Sequence, residues 1–240
     1  MLQEKRKLWI SFYFPLAFAI LIWLVKTAEV TFGFSLSFLG VYPREWEGLI
    51  GIITYPLVHG DWMHLYSNTV PLLVLGTGIF YFYQKLAFKV IAWIYLGSGI
   101  LIWIGARPSY HIGASGIIYG LVTFLFVSGI IRKNRSLMTI SMIITFLYGS
   151  MAWGVLPIEP SISWEGHLYG SFMGFLCAIM YRKHGPEDDK KIEFDDSDLD
   201  DENPYWLEGS PPPKTETPPP PTVYNYIYKT KPDNGTNIDD

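Results

Sequence analysis

The sequence predicts an all-α, polytopic membrane protein with six transmembrane helices. Half of its 240 residues are hydrophobic, 17% are aromatic, and the mean hydropathy is positive at +0.21. Six windows each hold about 18 or more mostly apolar residues, the length that an α-helix needs to cross a bilayer. A soluble domain of this length would show shorter apolar runs interrupted by polar faces. The composition therefore favours a membrane protein.

The six predicted spans follow one another from the N-terminus. The first follows the charged start MLQEKRK and resembles part of a signal peptide, but its apolar run is long and no small-x-small cleavage pattern follows. We therefore interpret it as a retained anchor. The segment Gly48–Val58 is too short to cross the bilayer and is expected either to lie along its outer interface or to lead into the site. The predicted spans are Leu8–Val25, His64–Tyr83, Leu86–Gly105, Ala114–Ile131, Leu137–Gly154 and Trp164–Tyr181.

Charge divides the chain into two predicted parts. Residues 1–183 carry 13 Lys/Arg against 7 Asp/Glu, a net charge of +6, and form the predicted membrane domain. Residues 184–240 carry 5 Lys against 15 Asp/Glu, a net charge of −10, and contain two proline runs. Such a segment buries too little apolar surface to fold, so we predict a disordered cytoplasmic tail whose partner is unknown. It is either a solvated segment with no specific role or a proline-rich interaction segment. The single cysteine, Cys177, excludes an internal disulfide.

The distribution of Lys and Arg predicts the orientation of the spans. One side of the membrane carries ten of these residues, and the other carries three: Lys26, Arg44 and Arg107. Because cytoplasmic loops are enriched in Lys and Arg, this bias places both termini in the cytoplasm. We expect the chain to lie in the lipid bilayer of a bacterial inner membrane, with no nucleic-acid partner.

Four polar side chains are predicted at the outer ends of the second, fourth and sixth spans. With the N-terminus inside, these spans run in one direction, so their first turns lie at one depth. His64 and Asn68 share a face of the second span, Ser115 opens the fourth, and His167 lies in the first turn of the sixth. Such groups are costly in a membrane and usually face a cavity or a bundle interior. Ser115 alone is more typical of helix packing, but the four together indicate a site.

This layer contains the groups that a serine hydrolase requires. A serine hydroxyl becomes a nucleophile when a neighbouring base removes its proton, and His167 is the candidate base for Ser115. Candidate donors to an oxyanion are the Ser115 backbone N–H, the Asn68 amide and the His64 ring. The nearby acid Glu165 is expected on another helix face, in the headgroup zone. The site is therefore interpreted as a Ser–His dyad.

Glycines accompany both members of the dyad. Small residues spaced by four allow two helix backbones to approach closely. Close approach is what a serine–histidine hydrogen bond of about 2.6–3.2 Å requires. Ordinary helix packing also explains the pattern, and the two explanations are compatible. The glycines are Gly113, Gly116 and Gly120 near Ser115, and Gly166, Gly170 and Gly174 on the helix of His167.

Three motifs in this region resemble those of a known family. They are HGDWMHLYSN at 59–68, GASGIIYG at 113–120 and GHLYG at 166–170. Together they resemble the signatures of rhomboid intramembrane serine proteases, over roughly residues 40–181. The resemblance implies a rhomboid-like helical bundle that cleaves membrane proteins with a transmembrane segment, using neither a cofactor nor a metal ion. The family's first loop often contains a Trp-Arg pair. No such pair is evident here, and the most similar stretch of the sequence is YPREWEG at 42–48.

The resemblance also implies roles for individual residues. It implies Ser115 as the nucleophile and His167 as the general base. It implies oxyanion stabilisation by His64, Asn68 and the Ser115 amide. The implied supporting residues are Tyr119, whose ring stacks on the catalytic imidazole, Gly113, which shapes the oxyanion loop, and the loop histidine His59.

Other functional classes fit the sequence less well. A pseudoprotease of the same fold would typically lack the serine or the histidine, and both are present. The spacing between His59 and His64 differs from the His-Glu-x-x-His of metalloproteases. An intramembrane aspartyl protease needs two membrane aspartates, whereas Asp61 is the only aspartate before the tail. A small transporter would show two related halves with broken helices, and these halves are unalike.

Overall fold

The structure, a computed structural model, describes residues 2–147, 154–158 and 163–186. Within these ranges the regular elements are helical, and the only β pairing is an isolated antiparallel bridge between Val41 and His111. Three short 3-10 turns lie before the second long helix, at Ser37–Leu39, Trp46–Leu49 and Tyr55–Leu57. The α-helices are α1 (Leu2–Phe32), α2 (Gly51–Thr54), α3 (Trp62–Phe82), α4 (Ala87–Gly105), α5 (Ser115–Ile131), α6 (Arg135–Leu147) and α7 (Trp164–Met180).

The apolar windows locate most of these helices closely. Helices α3, α4, α5 and α7 begin and end within two residues of the predicted spans. Helix α6 begins two residues before the predicted Leu137, and most of the predicted span beyond Leu147 lies outside the described residues. By length and composition, α1, α3 and α4 can cross a membrane, whereas α5 and α6 are shorter apolar helices. The predicted tail lies outside the described residues from position 187 onward.

Helix α1 extends beyond its predicted span, by six residues at its start and seven at its end. Polar side chains in both extensions find partners on neighbouring segments. Near the N-terminus, the Tyr81 hydroxyl donates to Glu4 Oε2 at 2.5 Å. Near the other end, Lys26 Nζ donates to the carbonyls of His59 and Gly60, each at 3.0 Å. The predicted span ends where polar and charged side chains appear in the sequence, but the helix continues through them.

Helices α5 and α7 form the most extensive contact between described helices. Glycines face each other across it. A β-carbon on Gly170 would overlap the carbonyl of Gly116, and one on Gly174 would overlap the carbonyl of Gly120. Small residues of this kind let two backbones approach closely. The packing predicted from the glycine row is therefore confirmed, and it brings the first turns of α5 and α7 together.

The first loop, between α1 and α2, is anchored at the C-terminal end of α4. Arg44 Nη1 donates to the carbonyls of Ala106 at 2.9 Å and Ile104 at 3.3 Å. In return, Trp103 Nε1 donates to the Glu45 carbonyl at 2.9 Å. The last carbonyls of a helix have no partner within the helix, so Arg44 satisfies groups that need one. These hydrogen bonds anchor the first loop, in which the sequence shows no Trp-Arg pair.

The loop between α4 and α5 is also fixed by backbone hydrogen bonds. The N–H and carbonyl of His111 pair with those of Val41 at 2.9 and 3.0 Å. The Gly113 N–H donates to the Tyr55 carbonyl at 2.8 Å. The segment that leads into Ser115 is therefore held against the chain that precedes α3.

Candidate active site

Ser115 is the first residue of α5 and is 9% exposed. The preceding loop turns into the helix through Gly113, whose φ of +104° is a conformation that residues with a side chain rarely adopt. A β-carbon at Gly113 would also lie 2.7 Å from atoms of the His64 ring. Glycine is therefore required here by the backbone conformation and by the closeness of His64.

His167, in the first turn of α7, is hydrogen-bonded to Ser115. Its Nε2 lies 2.9 Å from Ser115 Oγ, within the range of a nucleophile and its base. Its Nδ1 lies 2.8 Å from the carbonyl oxygen of Gly154. Because a carbonyl only accepts hydrogen bonds, Nδ1 carries the proton of the neutral ring and Nε2 presents a lone pair to the Ser115 hydroxyl. The Gly154 carbonyl thus orients the imidazole as a carboxylate does in a triad.

The face of the His167 ring is covered by Tyr119. The two rings are parallel within 5°, with their centroids 4.0 Å apart. Tyr119 lies one turn after Ser115 on α5, so a single helix supplies the serine and the ring that covers the base. A β-carbon on Gly154 would overlap the Tyr119 hydroxyl and lie 3.1 Å from His167 Nδ1. The imidazole is thus held by a hydrogen bond at each nitrogen and by one stacked ring.

His64 and Asn68 approach the same loop from α3. The Asp61 side chain caps this helix by accepting the His64 N–H at 2.8 Å, and that bond holds the pKa of the Asp61 carboxyl below its ordinary value. Asn68 is 6% exposed, and its Nδ2 has no hydrogen-bond partner among the described residues. A β-carbon at Gly113 would lie 3.6 Å from this Nδ2. Since buried donors usually have partners, Asn68 offers an unused donor beside the loop.

His59 contacts the backbone next to the candidate nucleophile. It is buried, and its Nε2 accepts a hydrogen bond from the Ala114 N–H at 3.4 Å. Burial, reinforced by nearby His64, lowers the pKa of His59 to about 3, so the ring is neutral near pH 7 and can accept this bond. Lys26 Nζ donates to the His59 carbonyl from α1. His59 therefore supports the loop before Ser115.

Glu165, two residues before His167, pairs with another residue. Its side chain is almost fully buried, and Oε1 lies 3.2 Å from Arg107 Nε. The ion pair allows this carboxylate to be buried against protein atoms, and its expected depth in the headgroup zone stays a prediction. Within the described ranges, no group of three His, Cys, Asp or Glu side chains is arranged to hold a metal ion.

The structure brings together all the site residues that the sequence predicts, around the first turns of α3, α5 and α7. It also adds groups that sequence reasoning missed. The Gly154 carbonyl is a backbone atom, which no residue pattern marks. The structure also shows a hydrogen bond of 2.6 Å between His111 and Ser163. The sequence offered one indication of this contact: His111 and Ser163 are 52 positions apart, the same separation as Ser115 and His167, which are hydrogen-bonded.

Comparisons with known proteins identify the family of the chain. Residues 46–184 match the Rhomboid domain family. An uncharacterised protein of Mycobacterium tuberculosis is 36% identical over 177 residues, covering 69% of this chain and 72% of that protein. The Bacillus subtilis protein YdcA, whose name places it provisionally among rhomboid proteases, is 31% identical over 185 residues, covering 72% of this chain and 82% of its own. The chain is an integral membrane protein that belongs to the Rhomboid domain family, a family of intramembrane proteases.

Proposed function

We propose that this protein is a serine endopeptidase that cleaves other membrane proteins in or next to their transmembrane segments through a Ser115–His167 dyad. The observation that carries the proposal is the 2.9 Å hydrogen bond between His167 Nε2 and Ser115 Oγ. A buried serine on its own is ordinary packing material. Ser115 is buried and bonded to an imidazole whose other nitrogen is held by a carbonyl, and the loop before it lies beside the unpartnered Asn68 amide. Together these features give the arrangement of an activated nucleophile next to an oxyanion donor.

The proposed reaction starts from a proton on the Ser115 hydroxyl and a neutral His167 ring that carries its own proton on Nδ1. As Ser115 Oγ bonds to the carbonyl carbon of the scissile peptide, its proton moves to His167 Nε2 and an electron pair moves to the substrate oxygen. His167 then gives this proton to the leaving nitrogen as the C–N bond breaks, which leaves an ester on Ser115. A water molecule, deprotonated by the same ring, hydrolyses the ester and restores the serine. The Gly154 carbonyl stabilises the imidazolium by accepting its Nδ1–H throughout.

The negative charge on the substrate oxygen needs donors that are already in place. The buried Asn68 Nδ2, which lacks a partner among the described residues, supports its assignment to this role. The His64 ring, packed against Gly113, and the Ser115 backbone N–H are the other two donors that we assign. We assign His59, which bonds the Ala114 N–H, to holding the loop that carries these donors.

Replacing Asn68 by alanine is expected to lower kcat by about 10²–10³, the usual effect of removing one preorganised oxyanion donor. The remaining donors keep the loss smaller than that of the nucleophile. Turnover of a single-span substrate in lipid vesicles measures the effect. Thr77→Ala is the matched control, because the Thr77 hydroxyl donates to the Leu73 carbonyl of the same helix, further from the site. Wild-type kcat in Asn68→Ala would show that Asn68 is only structural.

The place of the dyad in the fold supports the proposed substrate class. A transmembrane helix keeps its carbonyls in internal hydrogen bonds, so a protease needs a locally unwound substrate. Ser115 and His167 lie in the first turns of their helices, which supports a site near one membrane surface. There, the end of a substrate helix can unwind next to the polar side chains of the site. Helix-breaking residues near the cleaved bond are therefore part of the proposed specificity.

The proposed topology has six spans with both termini in the cytoplasm of a bacterial cell. The ten-to-three distribution of Lys and Arg supports it. A reporter that is active only in the cytoplasm, fused after Asp240, is expected to be active. Activity of a reporter that works only outside the cytoplasm would contradict the six-span topology and would move the site to the opposite face.

The direct test of the function uses the purified protein in lipid vesicles with a membrane protein that has one transmembrane helix. Mass spectrometry of the products is expected to place the cleaved bond in or next to that helix. The same sequence supplied as a soluble loop on a folded domain is expected to remain intact. Equal cleavage of both would contradict a substrate class defined by the membrane.

A further inference from the structure

A second serine–histidine hydrogen bond joins the segments that lead into α5 and α7, the two helices of the dyad. His111, in the loop before α5, has Nδ1 2.6 Å from Oγ of Ser163, the residue before α7. His111 lies four residues before Ser115, and Ser163 lies four residues before His167. The residue types are exchanged, with the histidine on the α5 side and the serine on the α7 side. The two hydrogen bonds are thus successive links between the two segments.

The direction of this hydrogen bond follows from its neighbours. His111 Nε2 lies 3.1 Å from the Arg107 carbonyl, which only accepts, so Nε2 carries the proton. Burial lowers the pKa of His111, which keeps the ring neutral near pH 7, although Glu165 opposes that shift. Nδ1 therefore accepts a hydrogen bond from the Ser163 hydroxyl.

Ser163 occupies the position where a serine usually caps its own helix. At the N-cap, a serine side chain typically accepts a backbone N–H from the first turn. Here the Ser163 side chain makes no capping hydrogen bond. Its hydroxyl is committed to His111 on another segment, so this serine ties α7 to the loop before α5.

An ion pair also joins the loop before α5 to the first turn of α7, in addition to the His111–Ser163 hydrogen bond. Arg107 Nε lies 3.2 Å from Glu165 Oε1, which also accepts the Arg107 backbone N–H at 3.4 Å. We call the four residues Arg107, His111, Ser163 and Glu165 the clasp. The loop side of the clasp is itself held, since His111 pairs with Val41 through two backbone bonds. The clasp therefore attaches the start of α7 to a fixed part of the fold.

We propose that the clasp sets the position of His167 relative to Ser115, with His111 and Ser163 acting as positioning residues for the dyad. The inference rests on the proposed function, because it concerns the geometry of the proposed catalytic pair. The glycine contacts between α5 and α7 fix how closely the helices approach. The clasp fixes the first turn of α7, which carries His167 one turn after Ser163.

The test is the kinetics of Ser163→Ala with a single-span substrate in vesicles. We expect kcat to fall by about 10- to 100-fold, because small misplacements of catalytic groups have effects of this size, while KM stays unchanged. Ser163→Thr keeps the hydroxyl and is expected to restore most of kcat. Ser11→Ala is the matched control, since this buried serine bonds to the Lys7 carbonyl within α1. It is expected to have wild-type kcat.

A double-mutant cycle tests whether the pair acts as one unit. Adding His111→Leu to Ser163→Ala is expected to lower kcat little beyond the more damaging single change, because residues that share an interaction are not additive. Wild-type kcat in Ser163→Ala, or a loss that Ser163→Thr does not restore, would overturn the proposal. A fall in kcat that only follows a fall in Tm would overturn it as well. Activity remaining in Ser115→Ala would instead overturn the proposed function itself.

Discussion

Replacing Ser115 by alanine is expected to abolish cleavage of membrane substrates, with kcat at least about 10⁴-fold lower. The variant loses the atom that forms the ester, and no other described side chain is hydrogen-bonded to His167 Nε2. Stability changes little, because the serine hydroxyl makes one neutral hydrogen bond, with a net contribution of about 0.5–1.5 kcal/mol. Substrate turnover and thermal unfolding of the same preparation measure the two effects separately.

Ser128→Ala is the matched control for this variant. It removes another buried serine hydroxyl from α5, thirteen residues further along, or about 20 Å along the helix axis. We expect Ser128→Ala to keep wild-type kcat. More than a few per cent of wild-type cleavage in Ser115→Ala would show that Ser115 is not the nucleophile, whatever the control does.

The change Gly170→Ala is expected to have the second largest effect, on activity and stability together. Its new β-carbon overlaps the carbonyl of Gly116, a backbone group that cannot rotate away. Helices α5 and α7 must therefore separate. Separation moves His167 away from Ser115, and a displacement of about 1 Å can cost 10²-fold in rate. Overpacking typically also lowers the free energy of unfolding by about 1–3 kcal/mol.

Gly78→Ala is the control for adding a methyl group to a buried helix glycine. There the new β-carbon meets only Leu125 Cδ1, at 3.6 Å, which is an ordinary contact. We expect wild-type kcat and an equal or slightly higher Tm, since alanine favours helices over glycine. A Gly170→Ala variant with the Tm and kcat of Gly78→Ala would contradict the close packing of α5 against α7.

Hydropathy predicts these helices well because each helix coincides with a continuous apolar stretch of the sequence, and the length of that stretch sets the bounds of the predicted span. The prediction failed where polar side chains extend a helix. Lys26 lies beyond the first apolar window, yet α1 continues through it because the ammonium group finds carbonyl partners on the loop before α3. Those partners come from a distant segment, so the sequence near Lys26 contains no sign of them.

The sequence predicts those parts of the site that are side chains near the starts of the long helices. Ser115, His167, His64 and Asn68 all have this placement. The Gly154 carbonyl could not be found in this way, because every residue has a backbone carbonyl and no residue type marks the one that is used. The burial of Glu165 could not be predicted from its sequence neighbours, because it depends on a partner, Arg107, from another part of the chain.

The central claim is that Ser115 is the nucleophile activated by His167, and covalent labelling tests it most directly. The purified protein is treated with a fluorophosphonate probe, which reacts with activated serines, and the labelled residue is identified by mass spectrometry. We expect one label, on Ser115, that is absent from Ser115→Ala and strongly reduced in His167→Ala. A label on a different serine, such as Ser163, or full cleavage activity with no labelling of Ser115, would contradict the claim.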